Sequence, residues 1–425
     1  MTMTNSLNNK RNSIPSFFCL LLSLVPILNG YSSGIGSFSL GMLVFSIIVF
    51  FVTINFIVIG GSKKNSFNVF LPIFLTLIFI FSSLVSYLTI DYYSKPVLSV
   101  VFAAWLKRLI WGISIVSIPT FIKYSKLCKA LKVIAVISTV YLIIQNVFFY
   151  ILKIPLPNII EYGFLRPNYD YYSSSGNLSL VGTSQYRPSS FFAEPAFYGY
   201  FIILVLSTIM LGHKVKRADV GLSLFLSLGI VLSTSSGGMY ILALIWVFYF
   251  IKRFKSNVKT AKSILFAFII IVFLILFILL FNNLNILQNY GTFGEVLYKA
   301  LNKVSSWNIN SRLGRSFDKL AYLSGRNLFF GVGIGCNDYF LAAYSSEGYV
   351  NGIVELILQN GIFGLFLFFL YLFILFFNSK DFLIRALIII YIIDGLYSGI
   401  YFSLFGMLYL IVIYSRKVYL DYEVA

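Results

Sequence analysis

A chain of 425 residues that is 59% hydrophobic and only 11% charged, with a mean hydropathy of +0.90, cannot cover a water-facing surface. Soluble domains carry charge on roughly 25% of their residues, so lipid is the solvent this composition requires. The formal net charge of +18 would suit a nucleic-acid partner, but the Lys and Arg lie in short clusters between apolar runs, and no nucleic-acid partner is expected.

A spanning helix needs about 20 predominantly apolar residues. Such runs are predicted near residues 14–30, 37–60, 68–90, 98–121, 131–152, 196–212, 219–235, 238–251, 263–281, 353–377, 382–396 and 399–415. The expected fold is all-α: a polytopic integral membrane protein with about 12 transmembrane helices in a single membrane domain over residues 1–425. The first run follows Lys10 and Arg11 in the manner of a signal peptide and is read as a retained helix, because the charge pattern works with it in place. Segments 219–235 and 238–251, taken as one helix, would overshoot the bilayer, so a tight turn is expected over 233–238. Cys19, Cys128 and Cys336 are far apart and lack metal or redox spacing, so no disulfide framework is expected.

With the N-terminus inside, segments assigned to the cytoplasm hold 20 of the 32 basic residues and only four acidic ones, Asp219, Asp381, Asp421 and Glu423. This asymmetry puts both ends in the cytoplasm, with the single histidine, His213. Two outward segments, 153–195 and 282–352, are too long to be simple turns, and their Tyr, Gly, Asn and Arg content suits an ordered binding surface.

Four constellations carry chemical potential. In the first, Arg187-Pro-Ser-Ser-Phe-Phe-Ala-Glu194-Pro195-Ala-Phe-Tyr-Gly199, Pro195 suits a first helical turn and Glu194 a helix's positive end. A helix-start signature accounts for the proline and the aromatics but leaves Arg187 unexplained. The second is Ser305-Ser-Trp-Asn-Ile-Asn-Ser-Arg312-Leu-Gly-Arg315, where two arginines three apart present planar forks that match phosphate oxygens; a solvated face is the plainer reading. The third, Gly331-Val-Gly333-Ile-Gly335-Cys-Asn337, follows no strand and lacks a P-loop lysine, so its glycines are read as letting backbone approach a ligand or a neighbouring helix. In the fourth, Asn351-Gly-Ile-Val-Glu355 with Gly361 and Gly364, a carboxylate starts a span, where it is costly unless it faces a polar cavity. A helix N-terminal Glu above a small-residue packing face is the structural alternative. Lys107 and Arg108 are read as snorkelling to an interface and Asp394 as lining the same cavity as Glu355.

Taken together, these residues resemble the O-antigen polymerase and ligase superfamily of bacterial envelope glycosyltransferases. The resemblance covers most of the chain: about 12 helices, two outward loops in these places, and motifs in the same order. Arg187 to Gly199 is similar to that family's Arg…Phe-x-Glu-Pro helix start, Ser233 to Gly238 to its Ser/Gly-rich link, and Gly331 to Gly335 with Asn351, Gly361 and Gly364 to its closing motif. Where the ligase branch has His, this chain has Val350, so the resemblance favours the polymerase branch, with a ligase or a pathway transporter or flippase as the alternatives.

The resemblance implies joining of polyprenyl-diphosphate-linked oligosaccharide repeat units at the periplasmic face of the bacterial inner membrane. It implies Arg187, Arg312, Arg315, Asn351, Gly333 and Gly335 on the diphosphate and substrate, and Glu194 or Glu355, with Arg187, in catalysis. It further implies membrane lipid as surroundings and a chain-length regulator and flippase of the same pathway as partners. No cofactor is expected: family members use neither nucleotide sugar nor metal, and no metal-ligand cluster appears in the sequence.

Overall fold

A computed structural model of the chain describes residues 16–35, 38–59, 67–89, 96–160, 165–167, 188–212, 215–256, 309–344 and 350–423. Among these, helices follow the apolar runs. They are α1 (Ser16–Leu28), α2 (Leu40–Ile59), α3 (Phe67–Thr89), α4 (Leu98–Phe121), α5 (Tyr124–Leu152), α6 (Pro195–Met210), α7 (Arg217–Leu232) and α8 (Ser236–Ser256). After residue 308 come three short helices, α9 (Ile309–Asp318), α10 (Gly325–Phe330) and α11 (Asn337–Ala343). Three long ones close the chain, α12 (Gly352–Phe377), α13 (Phe382–Tyr397) and α14 (Leu404–Glu423). The run expected over 263–281 lies outside the described residues.

Four helices, Phe70–Thr89, Leu98–Phe121, Tyr124–Leu152 and Gly352–Phe377, are long and apolar enough to cross a membrane. Their outer faces agree with that reading. On α12, Phe366, Leu370, Phe373 and Phe377 form an exposed stripe at helical spacing. In water such a stripe would be an aggregation surface; in lipid it costs nothing. The chain is thus a helical protein of membrane character. The turn expected over 233–238 is present: α7 stops at Leu232 and α8 starts at Ser236, with Thr234 at φ 54° reversing the chain. None of the three cysteines forms a disulfide.

The chain divides into two compact units. One comprises Met1–Leu22, Leu43–Leu127 and Ile309–Ala425; the other comprises Ser23–Met42 and Cys128–Asn308. In the first, α4 packs on α3 and α14, while α12 packs on α3, α10 and α13. In the second, α6 packs against α7 and α8. Side chains buried between lipid-exposed helices gain little from leaving water, so dispersion and close approach hold such contacts.

The feature that organises the first unit is a break in α12. Gly361 has φ 68° and ψ −174°, a region that only glycine adopts readily. The break frees the carbonyls of Leu358 and Gln359 from the helical ladder. They accept instead from the amides of Val332 (2.7 Å) and Gly333 (3.1 Å). Three serines of α3 meet the rest of this glycine-rich segment. Ser86 Oγ donates to the Gly331 carbonyl (3.0 Å), Ser82 Oγ donates to the Phe330 carbonyl (3.4 Å), and Ser83 Oγ accepts from the Ile334 amide (2.7 Å). A Cβ on Gly361 would run into the Phe329 carbonyl, and one on Gly331 would run into the Gln359 backbone.

Gly361→Ala should therefore destabilise the protein by at least the roughly 1–3 kcal/mol of a strained backbone region, read as a lower thermal midpoint in detergent. Gly221→Ala, in α7 with open space around the new methyl, should leave the midpoint unchanged or raise it.

Candidate functional site

In the first unit the start of α12 gathers residues from three distant parts of the sequence. Asn351 is the N-cap of α12: its side chain accepts from the Val354 amide (2.9 Å), and its carbonyl accepts from the Glu355 amide (2.8 Å). The Asn351 amide in turn donates to Ser316 Oγ on α9 (2.9 Å). Ser316 follows Arg315 directly, so this bond ties the helix bearing Arg312 and Arg315 to the start of α12. The Gly352 amide donates to the Ser398 carbonyl (2.8 Å), which brings in the link between α13 and α14.

One turn into α12, Glu355 Oε1 accepts from Gln359 Nε2 (3.0 Å). The other end of the Gln359 amide accepts from Arg108 Nη2 on α4. Arg108 is 5% exposed, and its guanidinium lies over the Phe402 ring, 3.1 Å from the centroid. The expectation that Arg108 snorkels to an interface is overturned. It is the eleventh residue of the 24 in α4, so about 15 Å of helix separates it from the nearer end, more than its side chain spans. A mid-helix charge must instead be met inside the bundle, and Gln359, Phe402 and the nearby Glu355 charge meet it. Asp394 on α13 is likewise fully buried, beside Tyr401 and Tyr409.

Gly333 and Gly335, candidates for contact with a diphosphate, sit at helix contacts. A Cβ on Gly335 would lie 2.9 Å from Ala104 of α4, and one on Gly333 would lie 3.2 Å from Ser83 Oγ. Arg315 is exposed on α9, and Arg312 occupies the same helix one turn earlier, so the two positions share a face. Asn351 is buried at 1% exposure and is occupied in capping and in holding α9.

In the second unit, Arg187 lies outside the described residues; the segment that follows it, from Pro188, is tied down tightly. Ser190 takes φ 57°, a left-handed conformation held from two sides. Its amide donates to Gln145 Oε1 on α5 (2.8 Å), and its hydroxyl donates to the Ser138 carbonyl (2.6 Å). Gln145 Nε2 reaches the Pro157 carbonyl (3.1 Å) and Asn158 Oδ1 (3.0 Å), while Phe191 stacks on Tyr141 with centroids 4.3 Å apart. Pro195 opens α6 as expected, with Glu194 at the N-cap; the Glu194 carboxylate does not cap the helix.

Sequence reasoning missed Gln145, Asn158 and Gln359, and no local signal marks them. Each is a neutral amide among apolar residues, whose role depends on a partner far along the chain. Comparison of the chain with protein-family models, with curated proteins and with solved structures gives no match.

Gln145→Met should strand the buried Ser190 amide, at a cost of about 1–3 kcal/mol. Hydrogen exchange at residues 189–193 should accelerate by one to two orders of magnitude while exchange in α12 stays unchanged.

Proposed function

We propose that this chain is an O-antigen polymerase, a membrane glycosyltransferase of about 12 spans with both ends in the cytoplasm. It joins polyprenyl-diphosphate-linked oligosaccharide repeat units at the periplasmic face of the inner membrane. The observation that carries the reading is the bond from the Asn351 amide to Ser316, which brings the Arg312–Arg315 helix to the end of α12 that bears Glu355. That tie supports reading the α9 arginines and Glu355 as parts of one site, as transfer from a lipid diphosphate requires.

In that reaction the acceptor sugar hydroxyl forms a bond to the anomeric carbon of the donor. The bond from that carbon to the diphosphate oxygen breaks, and its electron pair leaves with the lipid diphosphate. The hydroxyl proton passes to a carboxylate, Glu355 in the first unit or Glu194 in the second. Diphosphate is a good leaving group already, so the main demand is stabilisation of its growing charge. Arg312, Arg315 and Arg187 suit that role, being permanently ionised and bidentate. Partners in this reading are the two lipid-linked substrates, membrane lipid, and a chain-length regulator and flippase of the same pathway.

A polysaccharide-pathway transporter is the second reading. It is favoured by the helix broken at Gly361 and by the mid-helix charge of Arg108, since carriers place their sites at such breaks.

Deleting the gene and resolving the cell's lipopolysaccharide on a gel separates these readings. A polymerase deletion keeps a single repeat on the lipid core and loses the ladder. Loss of that single repeat as well overturns the reading in favour of a ligase or, if lipid-linked units accumulate on the cytoplasmic side, a transporter. Arg312→Ala and Arg315→Ala should each lower polymer synthesis, by up to the roughly 10²–10³-fold seen when one transition-state charge partner is removed. If Arg187→Ala, Arg312→Ala and Arg315→Ala all left polymer length and amount unchanged, the assigned roles would be lost.

A further inference from the structure

We infer that Arg108 is a positioning residue that aims the Glu355 carboxylate through the Gln359 amide, an inference that rests on the polymerase reading of the same site. The argument starts from donor and acceptor types. A guanidinium carries donors only, so the oxygen of the Gln359 amide must face Arg108. That choice turns the amide nitrogen the other way, where it donates to Glu355 Oε1 (3.0 Å). Gln359 and Glu355 are one helical turn apart on α12, so the amide bridges from α4 to the carboxylate. Without Arg108, the Gln359 oxygen loses its donor, and the amide is held at one end only, by its bond to Glu355, so it no longer fixes the carboxylate relative to α4.

The guanidinium is itself held in place. Phe402 lies beneath it, and that ring is packed by Trp111 (5.2 Å between centroids), Phe368 (5.4 Å) and Phe79 (6.2 Å). Arg108 Nη1 is buried with no hydrogen bond, a cost accepted in exchange for the single directed contact of Nη2 with Gln359. At the far end of the relay only one carboxylate oxygen is engaged by Gln359. The other, Oε2, lies beside exposed Gly399, where an added Cβ would come within 3.1 Å of it. Arg108 and Gln359 thus hold one oxygen and leave the other beside exposed Gly399, which carries no side chain to cover it. An acceptor hydroxyl approaching past Gly399 would meet that oxygen first.

The test uses the full chain, purified in detergent, with a synthetic polyprenyl-diphosphate oligosaccharide as both donor and acceptor. Arg108→Met and Gln359→Met should each lower kcat by about tenfold with KM unchanged, as expected for a misaimed group. The double variant should be no slower than the slower single variant, because both break one relay. Arg108→Lys should recover part of the loss, since an ammonium is also a donor-only group. Unchanged kcat in Arg108→Met, or losses that multiply in the double variant, overturn the inference. A second measurement needs no turnover. The infrared carboxylate band that disappears in Glu355→Gln should shift in Arg108→Met and in Gln359→Met. If that band stays in place, the relay is refuted even when polymer forms. If it shifts but the wild type makes no polymer, the relay stands and the polymerase reading fails.

Discussion

Backbone polar groups inside a bilayer have no water to turn to, so each must find a partner within the protein. The first unit is arranged around one place where the helical solution fails. At Gly361 the chain leaves helical geometry, and the carbonyls of Leu358 and Gln359 lose their next-turn donors. The amides of Val332 and Gly333 replace them, and Ser82, Ser83 and Ser86 of α3 satisfy the remaining polar groups of that segment. Glycine at 331, 333, 335 and 361 follows from this need, because every one of these contacts is backbone against backbone or against a neighbouring helix. The break also leaves Gln359 in the last turn of a short helical segment that ends at Asn360, where its side chain serves Glu355 and Arg108.

The buried charge on α4 depends on the same break. An arginine in the middle of a membrane helix is expensive, and exchanging such a group for an apolar one of similar size is often neutral or stabilising. The geometry around Arg108 therefore speaks of use rather than of stability. Its contacts to Gln359 and Phe402 place a fixed cation near the one carboxylate of α12, at the end of that helix to which α9 and its arginines are tied.

A parallel device appears in the second unit. There Gln145 fixes the segment after Arg187 much as Gln359 fixes Glu355: one glutamine amide, inside an apolar helix, uses both of its ends at once. In each unit a neutral amide organises a polar motif without adding a charge to the membrane. Such an amide loses little by burial once both ends are bonded, whereas a carboxylate or ammonium in its place would need a full counter-charge.

Much of the helical framework was legible from apolar runs, because lipid demands long uninterrupted stretches and leaves few ways to satisfy the backbone. The ends of α4 and α12, the turn after Leu232 and the first-turn position of Pro195 all follow from length, glycine and proline chemistry. Side-chain roles were less legible. Arg108 next to Lys107 reads as a snorkelling pair, and only the position of Phe402 and of Gln359, 251 residues away, makes it a buried cation. Gly361 with Gly364 reads as a packing face, while the fold makes Gly361 a break. By itself the sequence determined that the chain is helical and lipid-facing, since composition and apolar periodicity are local properties. Only the tertiary structure decided which polar groups meet, because a hydrogen bond between α4 and α12 depends on where two helices cross, and no local pattern encodes that crossing.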